Sequence, residues 1–234
     1  MASEPGFKPA LLVIDMQEDF CPPNGSLAVP DGRAVIPVIN ALLAAPTLAV
    51  RIATRDWHPA DHISFASNHA GSKQPYVDTC TVVNPSNATE TYETRLWPVH
   101  CVADTPGAQL AAGLDPRRID RVLDKGTDAR VEMYSAFYDP LRRPRVSDSG
   151  LADALRAADV THVYVVGLAA DYCVRSTAVD ARAEGFVVYV VNEGTRPVDT
   201  AAWGQCRAEL EAAGVRVVSK DGPEVRRLYG EAKV

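Results

Sequence analysis

Three side chains of different chemistry, a carboxylate, an amine and a thiol, stand near the ends of predicted strands in this 234-residue chain. They are Asp15, Lys125 and Cys173. A carboxylate can take the proton of a thiol, and an ammonium can stabilise both anions, so the three residues suit nucleophilic catalysis. Each residue alone also has an ordinary explanation: Asp15 as an acceptor for backbone N–H groups, Lys125 as a surface residue and Cys173 as a small buried apolar residue.

The position of Cys173 favours a chemical role. It lies near the start of a helix that is predicted to begin at Asp171, where free backbone N–H groups and the helix dipole favour a thiolate. The five cysteines are an odd number without C-x-x-C spacing, which argues against a disulfide framework or a structural zinc site. We therefore expect Cys173 to be a nucleophile; the other four cysteines are Cys21, Cys80, Cys101 and Cys206.

A second group of side chains could bind a metal ion. Asp56 and His58 follow the second predicted strand, and His100 lies in a later Trp-Pro-Val-His-Cys segment. One carboxylate with two imidazoles suits a borderline divalent cation such as zinc, with water or a ligand in the remaining positions. An Asp-x-His pair alone is more often a capped turn, whereas His69 and His162 are typical of ordinary loop and strand residues.

The apolar pattern predicts the elements that must position these groups. Short runs rich in Val, Ile and Leu alternate with amphipathic stretches, and the runs are apolar on both faces. This pattern favours an α/β fold of three layers, with a parallel sheet covered by helices on both sides. Gly185 and Gly214 are predicted to end two of the helices. The strands are expected at 10–15, 48–54, 121–125, 162–167, 186–191 and 215–219, and the helices at 33–44, 149–158, 171–184, 201–213 and 223–229.

One region breaks the alternation. Residues 59–105 are too long for an ordinary connection, and such loops are usually functional or disordered. Its aromatic and histidine content favours function, so we expect a long metal-site loop at about residues 56–105. No repeat or linker separates two halves, and a single domain of residues 1–234 is therefore expected.

Composition and charge exclude several classes of partner and location. Hydrophobic residues make up 47% of the chain and the net charge is −6, which predicts an ordinary core and argues against nucleic acid or anionic lipid as a partner. No apolar run approaches the roughly 18 residues that a membrane span needs. Residues 1–9 lack the apolar stretch of a secretory signal, so we expect a cytoplasmic protein, with a nuclear or peroxisomal pool also open. Neither G-x-G-x-x-G nor a P-loop follows a strand, which disfavours a dinucleotide enzyme.

Three motifs in order give the chain a family resemblance. It resembles the isochorismatase-like cysteine hydrolases over nearly its whole length, and among them the branch of fungal type that acts on nicotinamide. The motifs are Asp15-Met16-Gln17 with Phe20, then Lys125-Gly126, then Ala169-x-Asp171-Tyr172-Cys173-Val174. The segments 55–58, 62–65 and 97–101 are similar to the metal segments of that branch, and 134–137 also fits the family pattern.

The resemblance implies a fold and a bond to be cleaved. The expected sheet has six strands in the order 3-2-1-4-5-6, and a cis peptide bond is expected before Ala169. The N–H groups of Ala169 and Cys173 would then form an oxyanion hole. Cys173 would attack the amide and form a thioester, with Asp15 as the base and Lys125 as the cation beside it.

The resemblance also implies how the substrate lies. Nicotinamide would place its ring nitrogen on a metal held by Asp56, His58 and His100; zinc is expected, with iron or manganese as alternatives. Pyrazinamide is the expected second substrate, and the aromatic residues bordering the ring would be Phe20, Trp97 and Tyr172. His62 is open to two interpretations, as a ligand or as a residue that supports the ligands from outside. A homo-oligomer is also open.

Two other functions stay open from the sequence. The Asp, Lys and Cys groups do not identify the acyl group, so another small amide or an N-carbamoyl compound could be the substrate. A metal-binding interaction protein that has lost catalysis is the alternative from a different class. The intact Asp15, Lys125 and Cys173 argue against it, because an inactive protein has no need of all three.

Overall fold

A computed structural model describes residues 6–231 and contains a six-stranded parallel sheet. The strands are β1 Pro9–Ile14, β2 Val50–Asp56, β5 Arg121–Lys125, β6 His162–Leu168, β7 Val187–Arg196 and β8 Arg216–Val218. The sheet order is β5-β2-β1-β6-β7-β8, which is the expected order 3-2-1-4-5-6 when these six strands are counted along the chain. The helices are α1 Ile36–Leu43, α2 Leu151–Ala157, α3 Arg175–Ala183, α4 Trp203–Ala212 and α5 Pro223–Arg226.

The sheet has an apolar layer on each of its faces. In β1 every residue is buried, with Leu11 and Val13 in one layer and Leu12 and Ile14 in the other. Successive side chains of a strand point to opposite faces, so a strand covered on both sides must be apolar at every position. This explains the continuous apolar runs of the sequence. Gly185 and Gly214 follow α3 and α4 with φ of 96° and 81°, which confirms them as helix ends.

The carboxyl ends of β5, β2, β1 and β6 meet at one edge of the sheet. Asp56 pairs with Lys125 across β2 and β5, and Ile14 pairs with Gly167 across β1 and β6. Residues that follow these strands are therefore neighbours in space, although they are far apart in the sequence. This edge is where open parallel sheets bind their ligands.

The region expected to be one long loop contains a hairpin, so that expectation was wrong in part. Strands β3 Thr79–Asn84 and β4 Asn87–Arg95 pair in antiparallel fashion outside the main sheet. Few of their residues are buried, and threonines and valines alternate with polar residues. Such a pattern is typical of a half-exposed strand, and it lacks the continuous apolar run by which the six sheet strands were identified.

Within residues 6–231 no helix is both long and apolar enough to span a membrane. The first five residues of the segment 1–9, which was examined for a secretory signal, lie outside the described part of the chain, as do residues 232–234.

Candidate active site

Lys125 lies at the centre of the site. Its Nζ is 3.0 Å from Asp15 Oδ2 and 2.5 Å from Asp56 Oδ1. The same nitrogen is 3.5 Å from Cys173 Sγ and donates to the Met133 carbonyl at 3.1 Å. The side chain is buried, so the interpretation of Lys125 as a surface residue is wrong. Burial alone would lower its pKa, but the two carboxylates raise the pKa of Lys125 well above its usual value. The amine is therefore a fixed cation.

Asp15 is held as a buried base. The Thr54 hydroxyl donates to Asp15 Oδ1 at 2.6 Å and accepts from the Asp15 N–H at 3.1 Å. Burial raises the pKa of Asp15 to about 6, and Lys125 offsets only part of that rise. The carboxylate is therefore mostly ionised at neutral pH, yet it is a better proton acceptor than an ordinary aspartate.

The thiol of Cys173 is buried within a wide helical turn, Ala170–Val174, that leads into α3. Burial raises the pKa of Cys173 well above its usual value, and this outweighs the opposite effect of Lys125. The thiol is therefore favoured over the thiolate at rest, although a helix start alone would favour the thiolate. We predict that the thiol loses its proton to a base during attack, with Asp15 as that base.

The state of Asp15 predicts an acid limit for the reaction. Because Asp15 accepts a proton only when ionised, kcat/KM should fall about tenfold per pH unit as the pH drops below a midpoint near 6. The measurement is ammonia release from an amide substrate between about pH 4.5 and about pH 8. A rate that stays constant down to the lowest pH would contradict the assignment of Asp15 as the base.

The peptide bond between Leu168 and Ala169 is cis, as the resemblance implies. The Ala169 carbonyl accepts from the N–H groups of Tyr172 and Val174, both at 3.1 Å, which closes the turn around Cys173. Ala169 and Cys173 line the same cavity. Their role as an oxyanion hole stays a prediction, but the turn brings both residues beside the position of an amide above the sulfur.

Asp171 belongs to the third motif, but no role could be assigned to it from the sequence. Its two carboxylate oxygens accept from the backbone N–H groups of Val198 and Asp199, each at 2.9 Å. The turn that carries Cys173 is thereby fixed to the segment after β7. Val198 in turn lines the cavity above the thiol.

The three expected metal ligands form one buried group. One ligand atom from each of Asp56, His58 and His100 lies within 4.8 Å of the others. Nδ1 of His58 bonds the Gly126 carbonyl and Nδ1 of His100 bonds the Pro98 carbonyl, both at 2.8 Å. A carbonyl accepts only, so each ring carries its proton on Nδ1 and leaves Nε2 as a lone pair for a metal.

The buried Nε2 atom of His58 has no hydrogen-bond partner in the described part of the chain. A buried polar atom without a partner is costly, and a cation would satisfy it. Burial alone would raise the pKa of Asp56, but the Lys125 ammonium opposes it, and the pKa lies below its usual value. One anionic oxygen and two imidazole nitrogens therefore fit a divalent metal with further positions open.

Two neighbours hold this ligand set in place. The Gln17 side chain donates to the Asp56 carbonyl and accepts from the Asp56 N–H, both at 2.8 Å. Gly126 has a φ of +65°, and a Cβ there would lie 2.4 Å from the ring of His58. Gln17 of the first motif and Gly126 of the second therefore help to position the expected metal ligands Asp56 and His58.

His62 lies behind His58 and outside the ligand group. The two rings stack with centroids 4.0 Å apart. Nδ1 of His62 lies 2.8 Å from the Ser64 hydroxyl and Nε2 lies 3.1 Å from the Val131 carbonyl. Burial, followed by the effect of His58, lowers the pKa of His62 to about 3. This geometry favours a support for His58 and leaves no ring nitrogen for a metal; the role itself stays a prediction.

The three expected aromatic residues border one cavity above Cys173. Trp97 and Tyr172 meet edge to face with centroids 4.8 Å apart, and Phe20 lies on the side of His100. Two further residues that were not predicted to line the pocket, Glu132 and Tyr134, do so. Tyr134 fell in a segment that fits the family pattern, but an isolated glutamate such as Glu132 gives no sequence signal. The other lining residues are Leu27, Val29, Asp56, His100, Ala169, Cys173 and Val198.

The remaining histidines lie elsewhere, as expected. His69 bonds the Ile63 carbonyl at 2.6 Å, and His162 lies in β6, 2.8 Å from the Thr161 hydroxyl.

The chain belongs to the isochorismatase family, whose domain matches residues 9–221. The nicotinamidase of Schizosaccharomyces pombe is 36% identical over 218 residues, which are 93% of this chain and 96% of that protein. The yeast nicotinamidase bound to the inhibitor nicotinaldehyde is 38% identical with a TM-score of 0.84, covering 91% of this chain and 100% of that one. The pyrazinamidase of Pyrococcus horikoshii in complex with zinc is 32% identical with a TM-score of 0.69, covering 91% and 99%.

Proposed function

We propose that the protein is a nicotinamidase, which hydrolyses nicotinamide to nicotinate and ammonia in NAD salvage. The observation that carries this proposal is one cavity lined by Cys173 and by two of the expected metal ligands, Asp56 and His100. Lys125 contacts Asp15, Asp56 and Cys173, so the nucleophile and the metal ligands adjoin. The aromatic residues that line the same cavity suit a flat ring. The nicotinamidases among its relatives support the same substrate.

The first half of the reaction forms a thioester. Asp15 takes the proton of Cys173 as the sulfur attacks the amide carbon, and the carbonyl oxygen becomes an oxyanion. The N–H groups of Ala169 and Cys173 donate to that oxyanion. Asp15 returns the proton to the amide nitrogen, the C–N bond breaks, and ammonia leaves. Lys125 remains an ammonium throughout and balances the charge on the sulfur and on Asp15.

The second half consumes water. Asp15 takes a proton from a water molecule as its oxygen attacks the thioester carbon, and a second oxyanion forms in the same place. The C–S bond then breaks, the proton passes from Asp15 back to the sulfur, and nicotinic acid is released, which loses its remaining proton to solvent and becomes nicotinate. One carboxylate thus serves as base and acid in both halves.

The metal is proposed to be zinc, with iron or manganese as alternatives. Asp56, His58 and His100 would hold it, and the zinc complex of the P. horikoshii pyrazinamidase supports a metal in this family. When bound, the metal supplies a Lewis acid for the ring nitrogen of the substrate. The protein itself orients the amide toward Cys173 through the aromatic residues Phe20, Trp97 and Tyr172.

A substrate comparison tests this proposal. Benzamide keeps the ring shape and the amide but lacks the ring nitrogen, so its kcat/KM should be lower by on the order of 10⁴, whereas pyrazinamide should still be hydrolysed. Removal of the metal, or His58→Ala, should lower activity toward nicotinamide and also weaken its binding. The measurements are ammonia release and nicotinamide binding by calorimetry.

Four outcomes would contradict the proposal. Equal kcat/KM for benzamide and nicotinamide, or full activity after verified metal removal, would make the metal group structural. Ammonia release from another small amide or an N-carbamoyl compound, with none from nicotinamide, would assign a different substrate to the same catalytic residues. A protein that binds metal and hydrolyses none of these amides would be the inactive interaction protein.

A further inference from the structure

The β3–β4 hairpin packs against the back of the active-site wall. Val82 of β3 is fully buried in a small apolar cluster with Val131 and Leu141, outside the two layers of the main sheet. Its partner across the hairpin is Tyr92. Because side chains of a strand alternate, Tyr92 and Thr94 of β4 share one face, while Glu93 between them is on the other.

Tyr92 holds the backbone of Glu132, which lines the cavity. The phenol donates to the Glu132 carbonyl at 2.7 Å and accepts from the Glu132 N–H at 2.8 Å. One side chain therefore satisfies both backbone groups of a buried residue. Burial also raises the pKa of Tyr92, so the phenol stays protonated and able to donate.

Thr94 and Trp97 meet at the hydroxyl of Tyr134. The Trp97 Nε1–H group donates to that oxygen at 2.9 Å, and the Thr94 hydroxyl lies 3.1 Å from it. Tyr134 and Trp97 both line the cavity above Cys173, whereas Thr94 does not. The hairpin thus contacts the wall of the cavity from outside through two successive inward residues.

The far end of the hairpin is also fixed. The Asn84 side chain donates to the Pro144 carbonyl at 2.8 Å, and Glu90 accepts from the N–H groups of Arg142 and Arg143 at 2.8 and 2.9 Å. Attachment at both ends keeps Tyr92 and Thr94 at a constant distance from the wall. An unattached hairpin could not do so.

We propose that the hairpin is a positioning element for the ring pocket, with Tyr92 and Thr94 as its positioning residues. They fix the orientation of Trp97 and Tyr134 and the place of Glu132, and so set the affinity for flat heteroaromatic amides without touching them. The choice of ligand rests on the proposed function. The contacts that carry the positioning role do not depend on that choice.

Thr94→Val keeps the shape of the side chain and removes the hydroxyl, leaving the phenol of Tyr134 with one partner fewer. KM for nicotinamide should rise about 3- to 10-fold, with kcat within about twofold of the unaltered enzyme. Thr94→Ser should restore KM. The matched control is Thr81→Val, on the exposed face of the same hairpin, where the hydroxyl bonds Glu93 and the kinetic constants should not change.

Tyr92→Phe should raise KM further, because two buried backbone groups lose their partner. Its control is Tyr138→Phe, whose hydroxyl donates to the side chain of Glu184, the residue after α3, at 3.1 Å. Equal KM for each variant and its control, or a loss of kcat with unchanged KM, would overturn the proposal.

A measurement without substrate separates this proposal from the assigned activity. Thr94→Val should increase the quenching of tryptophan fluorescence by acrylamide, and the increase should vanish when Trp97→Phe is added. If the unaltered enzyme releases no ammonia from nicotinamide, the assigned activity fails while the quenching still tests the hairpin. If quenching is unchanged in Thr94→Val and in Tyr92→Phe, the hairpin proposal fails whatever the substrate is.

Discussion

Replacement of Cys173 by alanine is expected to lower kcat for nicotinamide by at least about 10⁴-fold, because it removes the atom that forms the thioester. The pocket walls and the metal group are unchanged, so nicotinamide should still bind with about its usual affinity in calorimetry. Cys173→Ser should be nearly as inactive, since Asp15 is a weak base for an alcohol. The measurements are ammonia release and the mass of the acylated protein after rapid acid quenching.

The matched control is Cys206→Ala, a second buried cysteine that lies on α4 and does not line the cavity. It should keep nearly full activity. Appreciable ammonia release by Cys173→Ala, or an acyl group trapped on Cys21, Cys80, Cys101 or Cys206, would contradict covalent catalysis at Cys173.

Asp15→Asn should lower kcat by about 10³- to 10⁴-fold, because an amide of the same shape cannot take the proton of the buried thiol. The high pKa of Cys173 makes this loss larger than it would be for a cysteine that is already ionised. Alkylation of Cys173 by iodoacetamide near neutral pH should slow as well, which reports on proton removal without any substrate.

Asp124→Asn is the matched control, since this carboxylate lies in β5 next to Lys125 but pairs with Arg55, and the Arg55 Nε–Asp124 Oδ1 distance is 2.8 Å. It should leave turnover and alkylation unchanged. Near-normal turnover in Asp15→Asn would place the general base on another residue.

The sheet could be predicted because each strand carries its own signal. A strand such as β1 is covered on both faces, so burial requires an apolar residue at every position, and that is visible without a structure. The meeting of Asp15, Lys125 and Cys173 followed from the same argument, since residues at the carboxyl ends of parallel strands share an edge. The carboxylate and the imidazoles that follow the second strand indicated the metal ligands, and the family resemblance added the aromatic residues that border the substrate ring.

The other features of the site depend on contacts between segments that are far apart in the sequence. The burial of Cys173 reverses the direction of its pKa shift, and burial is set by the whole fold around it. Thr54 contributes two hydrogen bonds to Asp15, and Glu132 contributes one buried position in the cavity wall; neither leaves a spacing pattern in the sequence. The hairpin was missed because its few buried residues do not form a continuous apolar run, and its role lies in hydrogen bonds to residues about 40 positions later.

Lys125 lies between Asp15 and Asp56, so its one positive charge pairs both with the proposed base and with a proposed metal ligand. A variant that alters the charge of the metal group, such as Asp56→Asn, removes one of the anions that stabilise the ammonium, and it thereby changes the proton affinity of Asp15 as well. The metal ligands and the catalytic residues therefore cannot be re-engineered independently. A change of substrate obtained by exchanging metal ligands would bring a change of pH dependence with it, whereas a change made in the aromatic walls would not.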